Sequence, residues 1–134
     1  MTLRSSVELD EPLSRFVFSR NHLFTFDGQT RARATAFLPA PTTGTTSVFR
    51  TRDLSEAEVW AIGNDVLASR PGRSLHARAD VAARVPLGLG LSVSPSPPRG
   101  HADLAGWPAE KAHAHLLAQQ LADAAKVYRN PSQA

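Results

Sequence analysis

The first fifty residues contain four short segments of strand-like sequence, and the connections between them are too short to hold helices. Side chains alternate in RFVFSR (15–20), LFTF (23–26) and RARATAFLP (31–39), and TSVFR (46–50) follows a loop rich in Pro, Thr and Gly. Alternation with a period of two is typical of a strand with one buried face. Parallel strands need a crossover of a dozen or more residues, so the sequence predicts a largely antiparallel sheet.

Asp27-Gly28 lies between the second and third segments. This dipeptide between two alternating runs is a strong hairpin signal, because both residues tolerate the positive φ angles of a tight turn. In the third segment one face is predicted to hold Ala32, Ala34, Ala36 and Leu38, and the other to hold Arg31, Arg33, Thr35 and Phe37. We expect a helix to pack on the alanine face, and the arginine face to be exposed or to face a ligand.

Two helices are predicted in the rest of the chain. Ser55 and Glu58 form a capping box, which predicts a helix that begins there and runs to about Ser69. The final helix is predicted from Pro108 to Asn130-Pro131, with a buried stripe of Leu117, Leu121, Ala124 and Tyr128. Further strands are predicted at 74–81 and 87–93. The pattern predicts an α+β fold with five to six short strands and two main helices packed on one face of the sheet.

The chain of 134 residues is long enough for one domain. We expect a flexible N-terminal arm over 1–12, a single domain over 13–129 and a C-terminal tail over 130–134. There is no cysteine, which excludes thiolate catalysis, zinc–thiolate sites and disulfides. No apolar run approaches a membrane span, and the first residues lack the apolar core of a secretory signal. We expect a cytoplasmic protein without membrane contact.

The basic residues are nearly all arginine, with thirteen of the fifteen, and the net charge is +3. The guanidinium fork binds carboxylates and phosphates and stays charged at any relevant pH. A small excess of positive charge without a concentrated basic run is weak evidence for nucleic-acid binding.

His113 and His115 do not form a metal pair in this interpretation, although HAH resembles one. Residues two apart on a helix are rotated by about 200°, so their rings diverge. We expect no metal site and no cofactor.

The other histidines lie where a functional site could form. His22 occupies a polar break between two aromatic segments, and His76 shares a strand face with Arg78 if that segment is extended. His101 follows Gly100 and is predicted to lie in a loop that enters the final helix. Loops held by a rigid scaffold are where binding and catalytic residues concentrate.

Arg50 ends an apolar segment and is predicted to share the face of Val48. An arginine on the core side must be paired or line a cavity. Two interpretations stay open: an ion pair with Asp53 or Glu56, or contact with a ligand. If there is a pocket, we expect Arg50 and His101 in its wall, where an arginine fork and an imidazole would favour a phosphate or a carboxylate. The further ligand-binding candidates are Arg78, His76 and Arg20.

The nucleotide-binding and hydrolase motifs with defined glycine or metal-ligand spacing do not occur. The sequence therefore favours a non-catalytic module that recognises a protein partner or a small anionic ligand through Arg and His at strand ends. The alternative is a small metal-independent enzyme acting on a phosphate-bearing or nucleic-acid substrate, with His22, His101 and Arg50 as catalytic candidates. If these three side chains lie in one pocket, the enzyme is favoured; if they are scattered, the binding module is favoured.

A third interpretation is non-specific nucleic-acid binding. It requires one continuous face formed by Arg31, Arg33, Arg70, Arg73 and Arg78. Binding through such a face would depend steeply on salt.

The combination of SRFVFSRNH, TSVFR and RGHADLAGWP resembles a group of small bacterial proteins of no known function. The resemblance spans about residues 13–127. It implies a single-domain bacterial cytoplasmic protein, and it implies no activity, cofactor or site residue.

Overall fold

A computed structural model of the protein describes residues 6–133. The strands are β1 Pro12–Val17, β2 Leu23–Phe26, β3 Gln29–Ala32, β4 Thr46–Arg50, β5 Ala77–Ala82, β6 Ser92–Pro95, β7 His101–Ala105 and β8 Lys126–Arg129, and the helices are α1 Glu56–Ala68, α2 Arg84–Gly88 and α3 Lys111–Ala124. Six strands form an antiparallel sheet in the order β6-β7-β4-β1-β5-β8, and β2 and β3 form a separate two-stranded hairpin. The predicted α+β class is confirmed. No helix in the described part of the chain has the length and apolarity needed to cross a membrane.

The hairpin predicted at Asp27-Gly28 is confirmed. Both residues have positive φ, +51° and +76°, as a two-residue turn matched to the twist of the strands requires. The expected long third strand is wrong, because β3 ends at Ala32 and a 3-10 turn follows at Ala34–Ala36. The turn redirects the chain, so that Phe37 is 0% exposed instead of lying on an exposed arginine face.

The two long helices pack on opposite faces of the sheet, not on one face as expected. One core joins strand residues with α3, and its members include Leu13, Val48, Ala79, Leu104, Leu117 and Leu121. The other core lies under α1 and consists of Phe16, Phe49, Val59 and Leu75. Successive side chains of a strand point to opposite faces. Because the central strand β1 has buried apolar side chains on both faces, a helix has to pack on each face of the sheet.

The C-terminal half differs from its prediction in three elements. Residues 87–93 do not form one strand: Gly90, at φ +87°, separates α2 from β6. The segment HADLA is strand β7, so His101 begins a strand and does not lie in a loop before the final helix. Helix α3 begins at Lys111 and ends at Ala124, and Tyr128 belongs to β8.

Residues near both ends of the described chain are part of the folded domain, although the sequence predicts an arm and a tail there. The carbonyl of Leu9 accepts a hydrogen bond from the Arg84 N–H at 2.8 Å, and Glu11 is buried. The expected flexible arm therefore does not include these residues. In the expected tail, Asn130 is buried and donates from Nδ2 to the Leu75 carbonyl at 2.8 Å.

The capping box of α1 gives the first testable prediction. Ser55 Oγ accepts from the Glu58 N–H at 3.2 Å, and Glu58 Oε1 accepts from the Ser55 N–H at 3.0 Å. Replacing Ser55 by alanine removes an acceptor for an otherwise unpaired helix N–H, and should lower the free energy of unfolding by about 1 kcal/mol. Urea denaturation measures the change, and a midpoint equal to that of wild type would contradict it.

Candidate functional site

Arg50 lies on the core side, as expected, but its partner is Glu11. Its Nε lies 2.5 Å from Glu11 Oε1, and its Nη2 donates to Glu11 Oε2 at 3.1 Å and to the Ser6 carbonyl at 3.1 Å. Burial alone would raise the pKa of Glu11, but hydrogen bonds from Arg50 and from the Glu8 N–H outweigh it, and the pKa falls below its ordinary value. The guanidinium is therefore committed to a structural ion pair, and neither Asp53 nor Glu56 is the partner.

His101 lies on the opposite face of the sheet from Arg50. It pairs with Phe49 across β4 and β7, and neighbouring residues of a strand face opposite ways. The predicted joint contact of Arg50 and His101 with one small anion is therefore wrong. Neither residue lines the two cavities described below.

Ser96 and Asp103 form a small network with His101. Ser96 Oγ donates to Asp103 Oδ2 at 2.9 Å and lies 2.8 Å from His101 Nδ1. A hydroxyl has one proton, so while Ser96 donates to Asp103 its contact with His101 Nδ1 requires the imidazole N–H to be the donor. A serine nucleophile needs the reverse, a hydroxyl that donates to the histidine.

His22 lies at the other end of the sheet, in a 3-10 turn after β1. Burial, and then the positive charges of Arg15 and Arg73, hold its pKa below the ordinary value. His22, His101 and Arg50 therefore do not converge.

Arg78 is a buried structural residue. Its guanidinium donates twice to the Glu56 carboxylate at 2.8 Å and once to Asp80 at 3.2 Å. It also lies over the rings of Trp60 and Tyr128, at 5.0 and 4.5 Å from their centroids. Because Arg78 is buried, the continuous basic face that included it does not form.

Two predicted ligand-binding residues, Arg20 and His76, lie in the wall of the same cavity. The cavity has a volume of about 460 Å³ and lies beside the hairpin, and Arg129 at the end of β8 completes its basic wall. The remaining lining residues are Leu23, Phe24, Thr25, Thr30 and Asn130. The sequence prediction missed Arg129 because it extended the final helix through this segment. Arg129 pairs with Ala77, the residue after His76, at the end of the ladder of β5 and β8, and both Arg129 and His76 line the cavity there.

A second cavity of about 600 Å³ adjoins the first. The two share Phe24, Thr30 and Arg129, and the second adds the basic side chains of Arg31 and Lys126 and the acidic one of Asp123. We call the two cavities together the basic trough. Among residues 6–133, its wall holds four side chains with permanent positive charge and one carboxylate.

Some arginines within residues 6–133 form ion pairs with carboxylates, and others do not. Arg50, Arg52 and Arg78 form ion pairs with Glu11, Asp10 and Glu56 respectively. Within residues 6–133, by contrast, no carboxylate forms an ion pair with Arg15 of β1 or with the arginines of the trough, the hairpin and the turn after α1, namely Arg20, Arg31, Arg33, Arg70, Arg73 and Arg129. Arg15 donates instead to the carbonyls of Ala36 and Ser47, at 2.9 and 3.0 Å.

The unpaired cations influence each other. Burial, and then the charge of Arg70, lower the pKa of Arg15 to about 10, so Arg15 is still charged at neutral pH. Burial is the largest cause of this shift and of the lowered pKa of His22, and neighbouring arginine charges add to both.

His113 and His115 are both exposed on α3. Between residues 6 and 133 no group of three or more His, Asp or Glu side chains is placed to hold a metal ion.

The fold and the trough define a small α+β domain with a cationic trough on its surface. No protein-family model matches the sequence, and no curated protein and no solved structure matches it significantly.

Proposed function

We propose that this protein is a non-catalytic binding module that holds an anionic ligand at Arg20, His76 and Arg129. The observation that carries the proposal is the division of the arginines. Arg20 and Arg129 form no ion pair with any described residue, whereas Arg50 and Arg78 each do. None of the described residues that line this cavity is a carboxylate, and two guanidinium groups in such a wall are complementary to an anion.

The cavity has the size and chemistry of a ligand site. Its volume of about 460 Å³ lies in the usual range of about 300–1,000 Å³ for small-molecule pockets. Arg20 begins the 3-10 turn that follows β1, His76 directly precedes β5 and Arg129 ends β8, so all three lie close to strand ends of the sheet. The threonine hydroxyls and Phe24 add polar and apolar contact beside the cations. A phosphate group, with several acceptor oxygens, fits this donor set.

The alternative of a small enzyme requires His22, His101 and Arg50 in one pocket. Arg50 is paired with Glu11 on one face of the sheet, and His101 is hydrogen-bonded to Ser96 on the other. The enzyme interpretation therefore has no geometric support, and we favour the binding module.

Titration with inorganic pyrophosphate at low salt tests the proposal. In ¹⁵N-labelled protein, we expect the amide signals of Arg20, His76 and Arg129 to shift most. Replacing Arg129 by glutamine removes a charged donor and should weaken binding about tenfold, because hydrogen bonds to charged groups contribute about 1.5–3 kcal/mol. Arg20→Gln should have a similar effect.

Lys111→Gln is the matched control, since it also removes one exposed positive charge. Lys111 and the trough residue Asp123 lie about 18 Å apart along α3 at 1.5 Å per residue. The control should bind pyrophosphate as wild type does. The proposal is rejected if wild type shows no localised shifts, or if Lys111→Gln weakens binding as much as Arg129→Gln.

A further inference from the structure

The outward face of the hairpin combines an exposed and a half-buried aromatic ring with arginines. Phe24 and Arg31 are paired across the two strands, and Phe26 and Arg33 share their face by alternation. The Arg31 guanidinium carbon lies 5.5 Å from the centre of the Phe26 ring, and that of Arg33 lies 5.2 Å from the Phe24 ring. Phe26 is 60% exposed. The hairpin therefore presents an aromatic ring to solvent and holds a cation against it.

This face is continuous with the basic trough. Phe24 lines both cavities of the trough, and Arg31 lines the larger one. A long ligand that binds at Arg129 can therefore extend along the trough, contact Arg31 and reach the exposed ring of Phe26.

We propose that the basic trough and the outward face of the hairpin bind a single-stranded nucleic acid, with backbone phosphates at Arg129 and Arg31 and one base stacked at Phe26. This inference rests on the anionic site proposed above. Single-strand binding sites combine a positively charged groove along the backbone with aromatic side chains on which bases stack, and both are present here. Arginine beside the ring adds a second planar surface and a cation–π contribution.

The exposed ring distinguishes this ligand from other polyanions. In a duplex the base faces are stacked on each other and are not available to Phe26. An acidic peptide would engage the arginines, but its carboxylates gain nothing from an exposed phenyl ring. A strand with unpaired bases uses both the charge and the ring.

Fluorescence anisotropy with labelled twelve-residue oligouridylate and oligothymidylate tests the inference. Phe26→Ala should weaken binding of the single strand at least about fivefold, the lower end of the effect of removing one stacking side chain. It should leave pyrophosphate binding unchanged. Arg31→Gln should lower the slope of log K against log salt by about 0.7, the value for one phosphate contact on a single strand. The oligonucleotide that binds more tightly identifies the preferred kind of strand, uridylate RNA or thymidylate DNA.

Leu116→Ala is the matched control, because Leu116 is an apolar side chain, 55% exposed, on α3. It should bind both oligonucleotides as wild type does. The inference is overturned if Phe26→Ala binds the single strand as tightly as wild type does. It is also overturned if a duplex of the same length binds with equal affinity, or if a labelled octaglutamate peptide binds more tightly. If pyrophosphate binds at Arg129 but the oligonucleotides do not, the inference fails and the anionic site stands; if pyrophosphate does not bind, the anionic site itself fails.

Discussion

Replacing Glu11 by alanine is expected to lower the free energy of unfolding by about 3–5 kcal/mol. The side chains of Glu11 and Arg50 are each 5% exposed, so the substitution leaves a guanidinium buried without its counter-charge. Breaking a buried ion pair by removing one partner costs about this much. The loss will appear as a shift of the urea denaturation midpoint at neutral pH.

Asp10→Ala provides the matched control, because Asp10 pairs with Arg52 at the surface, where ion pairs contribute little. Its denaturation midpoint should stay close to that of wild type. A Glu11→Ala variant as stable as the Asp10→Ala variant would show that the buried pair does not hold the N-terminal segment.

The same ion pair predicts a pH dependence. The pKa of Glu11 is lower in the folded protein than its ordinary value, so the unfolded chain takes up the proton first. The contribution of ionised Glu11 to stability is fully present above about pH 4.3, the ordinary pKa of glutamate. It is lost as the pH falls through the lower pKa of Glu11 in the folded protein. The difference in unfolding free energy between wild type and Glu11→Gln should therefore shrink on acidification. A constant difference from pH 7 to pH 3 would contradict the assignment.

Replacing Phe37 by alanine is expected to lower the free energy of unfolding by about 3–5 kcal/mol, the range for a buried phenylalanine truncated to alanine. Phe37 is fully buried in the core that contains Leu117 and Leu121 of α3. Its carbonyl accepts from the Thr46 hydroxyl at 2.8 Å, which fixes the turn after the hairpin. Thermal and urea unfolding should both report the cavity left by the ring.

Phe26→Ala is the natural comparison, since it removes the same ring from a largely exposed position and should change stability by about 0.5 kcal/mol or less. If Phe37→Ala does not fold at all, Phe37→Leu should still fold and should lie between Phe37→Ala and wild type. Equal stabilities of Phe37→Ala and Phe26→Ala would contradict the burial of Phe37.

Part of the candidate site could be predicted from the sequence. Arg20 and His76 stand out because each is a cationic or titratable residue beside a strand end. Arg129 could not be found in the same way, because an apolar residue spacing compatible with a helix continues past Ala124, and only pairing with β5 makes residues 126–129 a strand. Arg50 was identified as a core-side arginine by alternation with Val48. Its choice of Glu11 over Asp53 and Glu56 depends on residues 39 positions apart in the chain.

The sequence by itself determined the features that depend on residues within a few positions of each other. The Asp27-Gly28 turn and the Ser55 capping box were readable because backbone preferences and short-range hydrogen bonds specify them. The tertiary structure alone decided that α1 and α3 cover opposite faces, that Phe37 is buried and that Arg129 joins Arg20 and His76. These outcomes follow from strand order and from packing between distant segments, and the energy of such contacts is not recorded in any local pattern of residues.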